Sequence, residues 1–302
     1  MDQAAACPHC MSRRHLLRGA GALGLMVGLG ALAAPAGAAD EVHWGYEGDT
    51  GPESWGKLSP EFAVCATGRA QSPVDIPAGT PLNPANLGID YRPTALNIFN
   101  NGHTVQVNAD PGSSLRLDGV DYALAQYHFH ARSEHTVAGR PADMELHLVH
   151  RSQAGALAVV GVLMTRGADN PAFAPTLSNL PAQEGAPRTV PGVTANPAAM
   201  LPSDRAYYRY DGSLTTPPCT EGVRWLVMAS PVQLSDAQLG AFQKLFARDY
   251  RPVQPLNGRA FYAAGATRPA PLQLPRTGWP IGGQIVAGLG LLAGGLLLRR
   301  RA

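Results

Sequence analysis

Lysine is almost missing from this chain: Lys57 and Lys244 are the only two, although Lys and Arg together number 24 in 302 residues. Charge of either sign is sparse at 15%, and 22 acidic residues bring the formal net charge to +2. A balance that close to neutral supplies no field for nucleic acid. The 34 glycines and 27 prolines, about a fifth of the chain, stop short of the low-complexity range. With 45% hydrophobic residues the sequence is too apolar for a disordered protein and long enough for a sizeable core in one or two domains. No internal repeat is visible between about Asp40 and Ala263.

The two ends read as addresses. Residues 1–39 carry Ser12-Arg13-Arg14-His15-Leu16-Leu17, an apolar run from Gly19 to Ala34 and then Ala36-Gly37-Ala38, the order of an export signal with an A-x-A cleavage site. The paired arginines resemble the twin-arginine type, which exports folded proteins; a buried N-terminal helix is the alternative. Cys7-Pro-His-Cys10 has metal or redox spacing but falls inside the removable segment. After a Pro/Ala-rich linker at 264–273, Leu274-Pro275-Arg276-Thr277-Gly278 precedes an apolar stretch at 279–298 and Arg299-Arg300-Arg301. Twenty apolar residues span about 30 Å, a bilayer core, and the arginines favour the cytoplasmic side. This segment, 274–302, resembles the LPxTG cell-wall sorting signal, in which a sortase cuts between Thr277 and Gly278 and joins the protein to peptidoglycan. A plain C-terminal membrane anchor is the alternative. Either way the domain at 40–263 faces outward.

Cleavage after residue 39 and after Thr277 takes away six arginines and Asp2, so the mature chain carries about −3, and it keeps only Cys65 and Cys219. In an oxidising compartment these two are expected to form a disulfide, with two free buried thiols as the other possibility.

Short runs of β character dominate this domain: Leu96 to Phe99, Thr104 to Val107, Ser114 to Leu117, Gln126 to His130, Met144 to His150, Leu157 to Met164, Tyr207 to Tyr210 and Val223 to Ala229. Asn101-Gly102, Pro111-Gly112, Asp118-Gly119 and Asp211-Gly212 read as turns between them. One helix is expected over Ser235 to Phe246, with Ser235 as N-cap and Leu239, Phe242 and Phe246 on one face. Asn170 to Pro202 reads as an irregular loop.

The chemistry concentrates in Gln126-Tyr127-His128-Phe129-His130 and Glu145-Leu146-His147. Alternate residues of a strand share a face, so His128 and His130 project together and His147 joins them from a second strand of the same pattern. Three neutral imidazoles leave one position of tetrahedral zinc open, the arrangement of a catalytic site. Gln126 and Glu145 share that face and can accept the second N–H of a ligating ring. Satisfied core histidines are the bland alternative.

Taken with Gln71-Ser72-Pro73-Val74-Asp75-Ile76, Asn101-Gly102-His103, Ser133-Glu134-His135-Thr136-Val137, Glu145 to His150, Ser213-Leu214-Thr215-Thr216-Pro217-Pro218 and an early His43-Trp44-Gly45-Tyr46, these segments resemble α-class carbonic anhydrase. They occur in family order over nearly the whole central domain. The resemblance implies a mainly β, single-domain fold around a large, mostly antiparallel twisted sheet, with a few short peripheral helices and zinc at the base of a conical cleft. It implies zinc-dependent, reversible hydration of carbon dioxide to bicarbonate, with His128, His130 and His147 as ligands. Thr215 then accepts a hydrogen bond from zinc-bound hydroxide and donates to Glu134, while Gln126 and Glu145 support the ligands. Val149, Val159, Leu214, Val223 and Trp225 form the apolar wall for carbon dioxide. His103 takes the place of the proton shuttle, and Tyr46, Asn101, Gln106 and Thr216 hold the water chain to it. Cys65 and Cys219 match the disulfide of bacterial members.

Three other readings compete. His103 beside Asn101-Gly102 could be a surface residue at a hairpin end. His128-x-His130-x3-Glu134 also fits a cupin-type oxygenase with Glu134 as a ligand of iron or manganese, but Leu214 to Pro218 has no role there. A surface adhesion module on the same scaffold typically lacks one or more of the histidines.

Overall fold

The computed structural model describes residues 42–84 and 87–262. The signal-type segment 1–39, the linker 264–273 and the sorting segment 274–302, with Thr277 and Gly278, lie outside the described residues.

An eleven-stranded sheet dominates the described residues. Its main path runs Arg188–Ala195, Thr94–Asn100, Val105–Asn108, Val120–His130, Met144–Ser152, Leu157–Arg166, Glu221–Met228 and Tyr207–Ser213. Ser114–Leu117 and Gly88–Asp90 extend it beside the first half of Val120–His130, and Val232–Leu234 adds to Leu157–Arg166. Pairing is antiparallel except where Leu157–Arg166 meets Glu221–Met228 and Val232–Leu234. A separate three-stranded sheet joins Asp75–Ile76, Thr136–Val137 and Arg140–Pro141.

The central strands are buried on both sides, and their period of two divides the molecule. From Met144–Ser152, the side chains of Met144, Leu146 and Leu148 enter the large core with Tyr127, Phe129, Val160 and Phe242. The alternate residues Glu145, His147 and Val149 face the other way, where Val149, Val159, Val223 and Trp225 form a second apolar cluster. One face of the sheet therefore carries stability and the other carries chemistry.

The expected helix forms over Asp236–Gln243, closed by a capping box between Ser235 and Gln238. Leu239 and Phe242 are buried in the large core, and Phe246 packs against that core from beyond the helix end. Among the described residues no helix is long and apolar enough to cross a membrane. Cys65, in the one-turn helix Val64–Thr67, is bonded to Cys219 with a Cα–Cα distance of 5.0 Å.

Two expectations fail. The stretch Asn170 to Pro202 is not wholly a loop: Ala174–Leu177 is a helical turn, and Arg188–Ala195 pairs with Thr94–Asn100 as an edge strand. Pairing breaks between Thr189 and Thr194, and Pro191 sits in this irregularity, where its missing N–H removes no ladder bond. Asp211-Gly212 is not a turn either, since both residues lie inside Tyr207–Ser213. A Cβ on Gly212 would come within 2.1 Å of Ser72 Oγ and 2.8 Å of the Tyr210 ring, so the glycine permits a close approach instead of a reversal.

Candidate active site

His128 and His147 are direct cross-strand partners in register, and His130 follows two residues along the same face. One ring nitrogen from each of the three lies within 4.8 Å of those of the other two. Each ring is held by an acceptor on its other nitrogen. His128 Nδ1 meets Gln126 Oε1 at 2.8 Å, His147 Nε2 meets Glu145 Oε1 at 2.9 Å, and His130 Nδ1 meets the Asp249 carbonyl at 2.5 Å. The nitrogens left over are His128 Nε2, His130 Nε2 and His147 Nδ1. His130 Nε2 is buried without a hydrogen-bond partner, and so is the nearby Glu134 Oε2, 3.6 Å away.

Burial holds all three imidazoles below their ordinary pKa, His130 at about 4, so each is neutral and able to donate a lone pair. Glu145 behaves oppositely. Burial pushes it up, but His135 and His147 outweigh that and keep it well below the usual carboxylate range. It accepts from His135 Nδ1 and His147 Nε2 through Oε1 and from the backbone N–H of Glu134 and His135 through Oε2. His135 passes on to the Tyr210 hydroxyl at 2.6 Å, which meets Ser72 Oγ at 2.8 Å.

Glu134 is buried and pushed up to about 7 by desolvation, against the pull of His147, the Arg251 N–H and the Thr215 hydroxyl. The Arg251 backbone N–H donates to Glu134 Oε1 at 2.8 Å. Thr215 is buried beside it in the turn between Tyr207–Ser213 and Glu221–Met228.

Val149, Val159, Val223 and Trp225 fall into one apolar cluster, with Leu214 packed against it. Register explains this: Val159 pairs with Val149 on one side and Trp225 on the other, making a row across three strands. Gly161, absent from the sequence-based list, pairs with His147, and a Cβ there would stand 2.8 Å from Glu145 Oε1.

His103 is half-buried and stacks on Trp44 with ring centroids 3.6 Å apart and planes 9° from parallel. It lines a pocket of about 490 Å³ with Tyr46, Asn101, Glu184 and Arg248. The Asn101 side-chain oxygen accepts from the backbone N–H of His103 and Thr104, which shapes the turn carrying the imidazole. Gln106 and Thr216 are not among the residues lining this pocket. Gln106 sits across the ladder from His128 and donates to Asn108 Oδ1 at 2.8 Å, and Thr216 is half-buried beside Thr215.

Sequence reasoning missed the Asp249 carbonyl, His135, Tyr210, Gly161 and Arg251. A backbone carbonyl leaves no mark in a residue pattern. His135, by contrast, was visible as the histidine next to Glu134 in Ser133 to Val137, although its bond to Glu145 was not.

Residues 50–265 match the family model for eukaryotic-type carbonic anhydrase. A carbonic anhydrase of Nostoc sp. is 45% identical over 226 residues, 73% of this chain and 86% of that protein. One from Pectobacterium carotovorum is 44% identical over 225 residues, 74% of this chain and 92% of that protein. Among solved structures, the α-carbonic anhydrase of Thermovibrio ammonificans in complex with the inhibitor sulfanilamide matches with a TM-score of 0.70 and 42% identity, covering 73% of this chain and 99% of that one.

Proposed function

The chain belongs to the α-class carbonic anhydrases and catalyses the reversible hydration of carbon dioxide; on that premise we propose the part each of its residues plays. The three convergent imidazole nitrogens carry the reading. They fit zinc by number, by neutral state and by the orphaned His130 Nε2. Bound there, zinc supplies Lewis acidity that brings a coordinated water's pKa into the neutral range, a behaviour for which carbonic anhydrase is itself the reference case.

Gln126, Glu145 and the Asp249 carbonyl fix which nitrogen of each ligand faces inward. We take Thr215, whose hydroxyl helps to hold down the Glu134 pKa, to give its one proton to that carboxylate; its oxygen is then able only to accept and orients a reacting group that has an O–H to donate. Val149, Val159, Leu214, Val223 and Trp225 offer carbon dioxide an apolar surface and keep water from competing for it. His103 moves the released proton to solvent at a ring nitrogen, since an imidazole ordinarily titrates near neutrality. Gln106, opposite His128, and Thr216, next to Thr215, serve the metal end of the water chain, and Tyr46 and Asn101 serve the pocket end beside His103.

His147→Ala is expected to lose most bound zinc, whereas Thr215→Ala keeps the metal and loses much of the rate. Full activity in both would place the chemistry elsewhere.

The Cys65–Cys219 bond supports an oxidising destination, reached through the twin-arginine-type segment. A sortase then joins Thr277 to peptidoglycan at the cell surface. Muralytic enzymes should release protein ending at Thr277; intact Arg301 in the membrane fraction would favour the plain anchor instead.

A further inference from the structure

Thr215 and Glu134 lie far apart in the chain, on different elements, yet their mutual geometry decides which way the Thr215 proton points. One buried residue reaches both, with its backbone on Glu134 and its side chain on the segment that holds the Thr215 turn. The Arg251 backbone N–H holds Glu134 Oε1 at 2.8 Å. Its guanidinium reaches the other way: Nη1 donates to Gln71 Oε1 and the Ser72 carbonyl, each at 2.8 Å, and Nη2 donates to the Cys65 carbonyl at 2.9 Å. Arg251 is 1% exposed and lies over the Trp55 ring at 5.6 Å.

The segment that Arg251 grips is the same one that holds the Thr215 turn. Cys65 is bonded to Cys219, Gln71 Nε2 donates to the Cys219 carbonyl at 3.1 Å, and the Ser72 and Ser213 hydroxyls each accept from the other residue's backbone N–H. Cys219 N–H closes the turn on the Thr216 carbonyl at 2.9 Å. A methionine could fill the volume, and a lysine could reach one acceptor. Only the planar fork of an arginine joins three acceptors on 65–72 while its own backbone stays on the carboxylate.

We propose that Arg251 is a positioning residue for the Thr215–Glu134 pair: it locks segment 65–72, and through it the Thr215 turn, to the Glu134 carboxylate. The proposal rests on the roles given above to Thr215 and Glu134. With the lock in place, Thr215 presents lone pairs only, so the site favours ligands that bring a proton over ligands that do not. When the lock loosens, the Thr215 proton is free to turn toward the ligand and that preference fades.

The test compares two probes on zinc-loaded protein by calorimetry. Sulfanilamide, bound as its anion, still carries an N–H, whereas thiocyanate carries none. Arg251→Gln is expected to keep about one zinc per chain, to weaken sulfanilamide by about tenfold, the loss of one well-made hydrogen bond to a charged group, and to leave thiocyanate unchanged or tighter. Arg251→Lys falls between, and it carries the same readout if the glutamine variant does not fold, as does Gln71→Leu. A merely structural role would lower both affinities and the zinc content together, and that outcome overturns the proposal. Thr215→Ala separates the two levels. If it leaves the sulfanilamide-to-thiocyanate ratio at the wild-type value, the roles of Thr215 and Glu134 fail. If it collapses the ratio while the Arg251 variants keep it, the positioning role alone fails.

Discussion

Glu145 Oε1 lies 2.9 Å from His147 Nε2 and 2.7 Å from His135 Nδ1, so one buried oxygen fixes two imidazoles at once. Its second oxygen takes two backbone N–H groups. Only an ionised carboxylate accepts from four donors without offering one. Glu145→Gln brings an NH2 group into this cluster and frees the His147 ring to turn. Zinc affinity is expected to fall roughly 10- to 100-fold, read by competition with a chelator. An affinity equal to wild type would show that Glu145 does not orient the ring.

Gly161→Ala tests the same oxygen from the neighbouring strand. The added methyl would stand 2.8 Å from Glu145 Oε1, which its two imidazole partners prevent from yielding. A loss of about 1–3 kcal/mol in thermal or urea unfolding is expected, together with weaker zinc binding. A variant with wild-type stability would mean that the site relaxes freely.

His150 gives a pH-dependent prediction away from the site. Burial lowers it to about 4, against the opposing effect of its bonds to the Ala158 and Leu148 backbone, and it meets the Tyr91 hydroxyl at 2.7 Å. The unfolded chain binds a proton on this histidine near pH 6.5, which the native state refuses until about pH 4. Its contribution to stability is therefore complete above pH 6.5 and declines as pH falls toward 4, on the order of 3 kcal/mol in all. His150→Gln lacks this acid-side loss. The stability gap between wild type and variant should narrow in urea titrations taken from pH 8 to pH 4.5, and a constant gap would reject the depressed pKa.

His103→Ala separates proton traffic from metal chemistry. Zinc content and carbon dioxide–bicarbonate exchange at equilibrium should stay near wild type, because exchange needs no net proton release. Turnover in weak buffer should drop by roughly one to two orders of magnitude and recover with small imidazole buffers. Loss of zinc, or unchanged turnover, would make His103 structural.

Much of this was legible because period-two strands expose their logic. His128, His130, Gln126, Glu145 and His147 could be placed on one face from spacing, and the register confirms that His128 opposes His147. The apolar wall of Val149, Val159, Val223 and Trp225 came from resemblance, since nothing in its spacing says that three strands align it. Asp211-Gly212 misled because a glycine needed for close approach looks the same as one needed for a turn. Arg188–Ala195 was hidden because its pairing is interrupted around Pro191. Arg251 carried no local signal at all, as its partners lie about 180 residues earlier in the chain.

The central claim is that three neutral imidazoles hold a zinc on which the hydration of carbon dioxide depends. Carbon dioxide hydration should be measured on purified protein before and after dialysis against a zinc chelator, with metal content determined on the same samples. The predicted result is activity that falls in proportion to zinc, reaches background when the metal is gone, and returns on addition of about one equivalent per chain. Hydration that persists after the zinc has been removed would contradict the account.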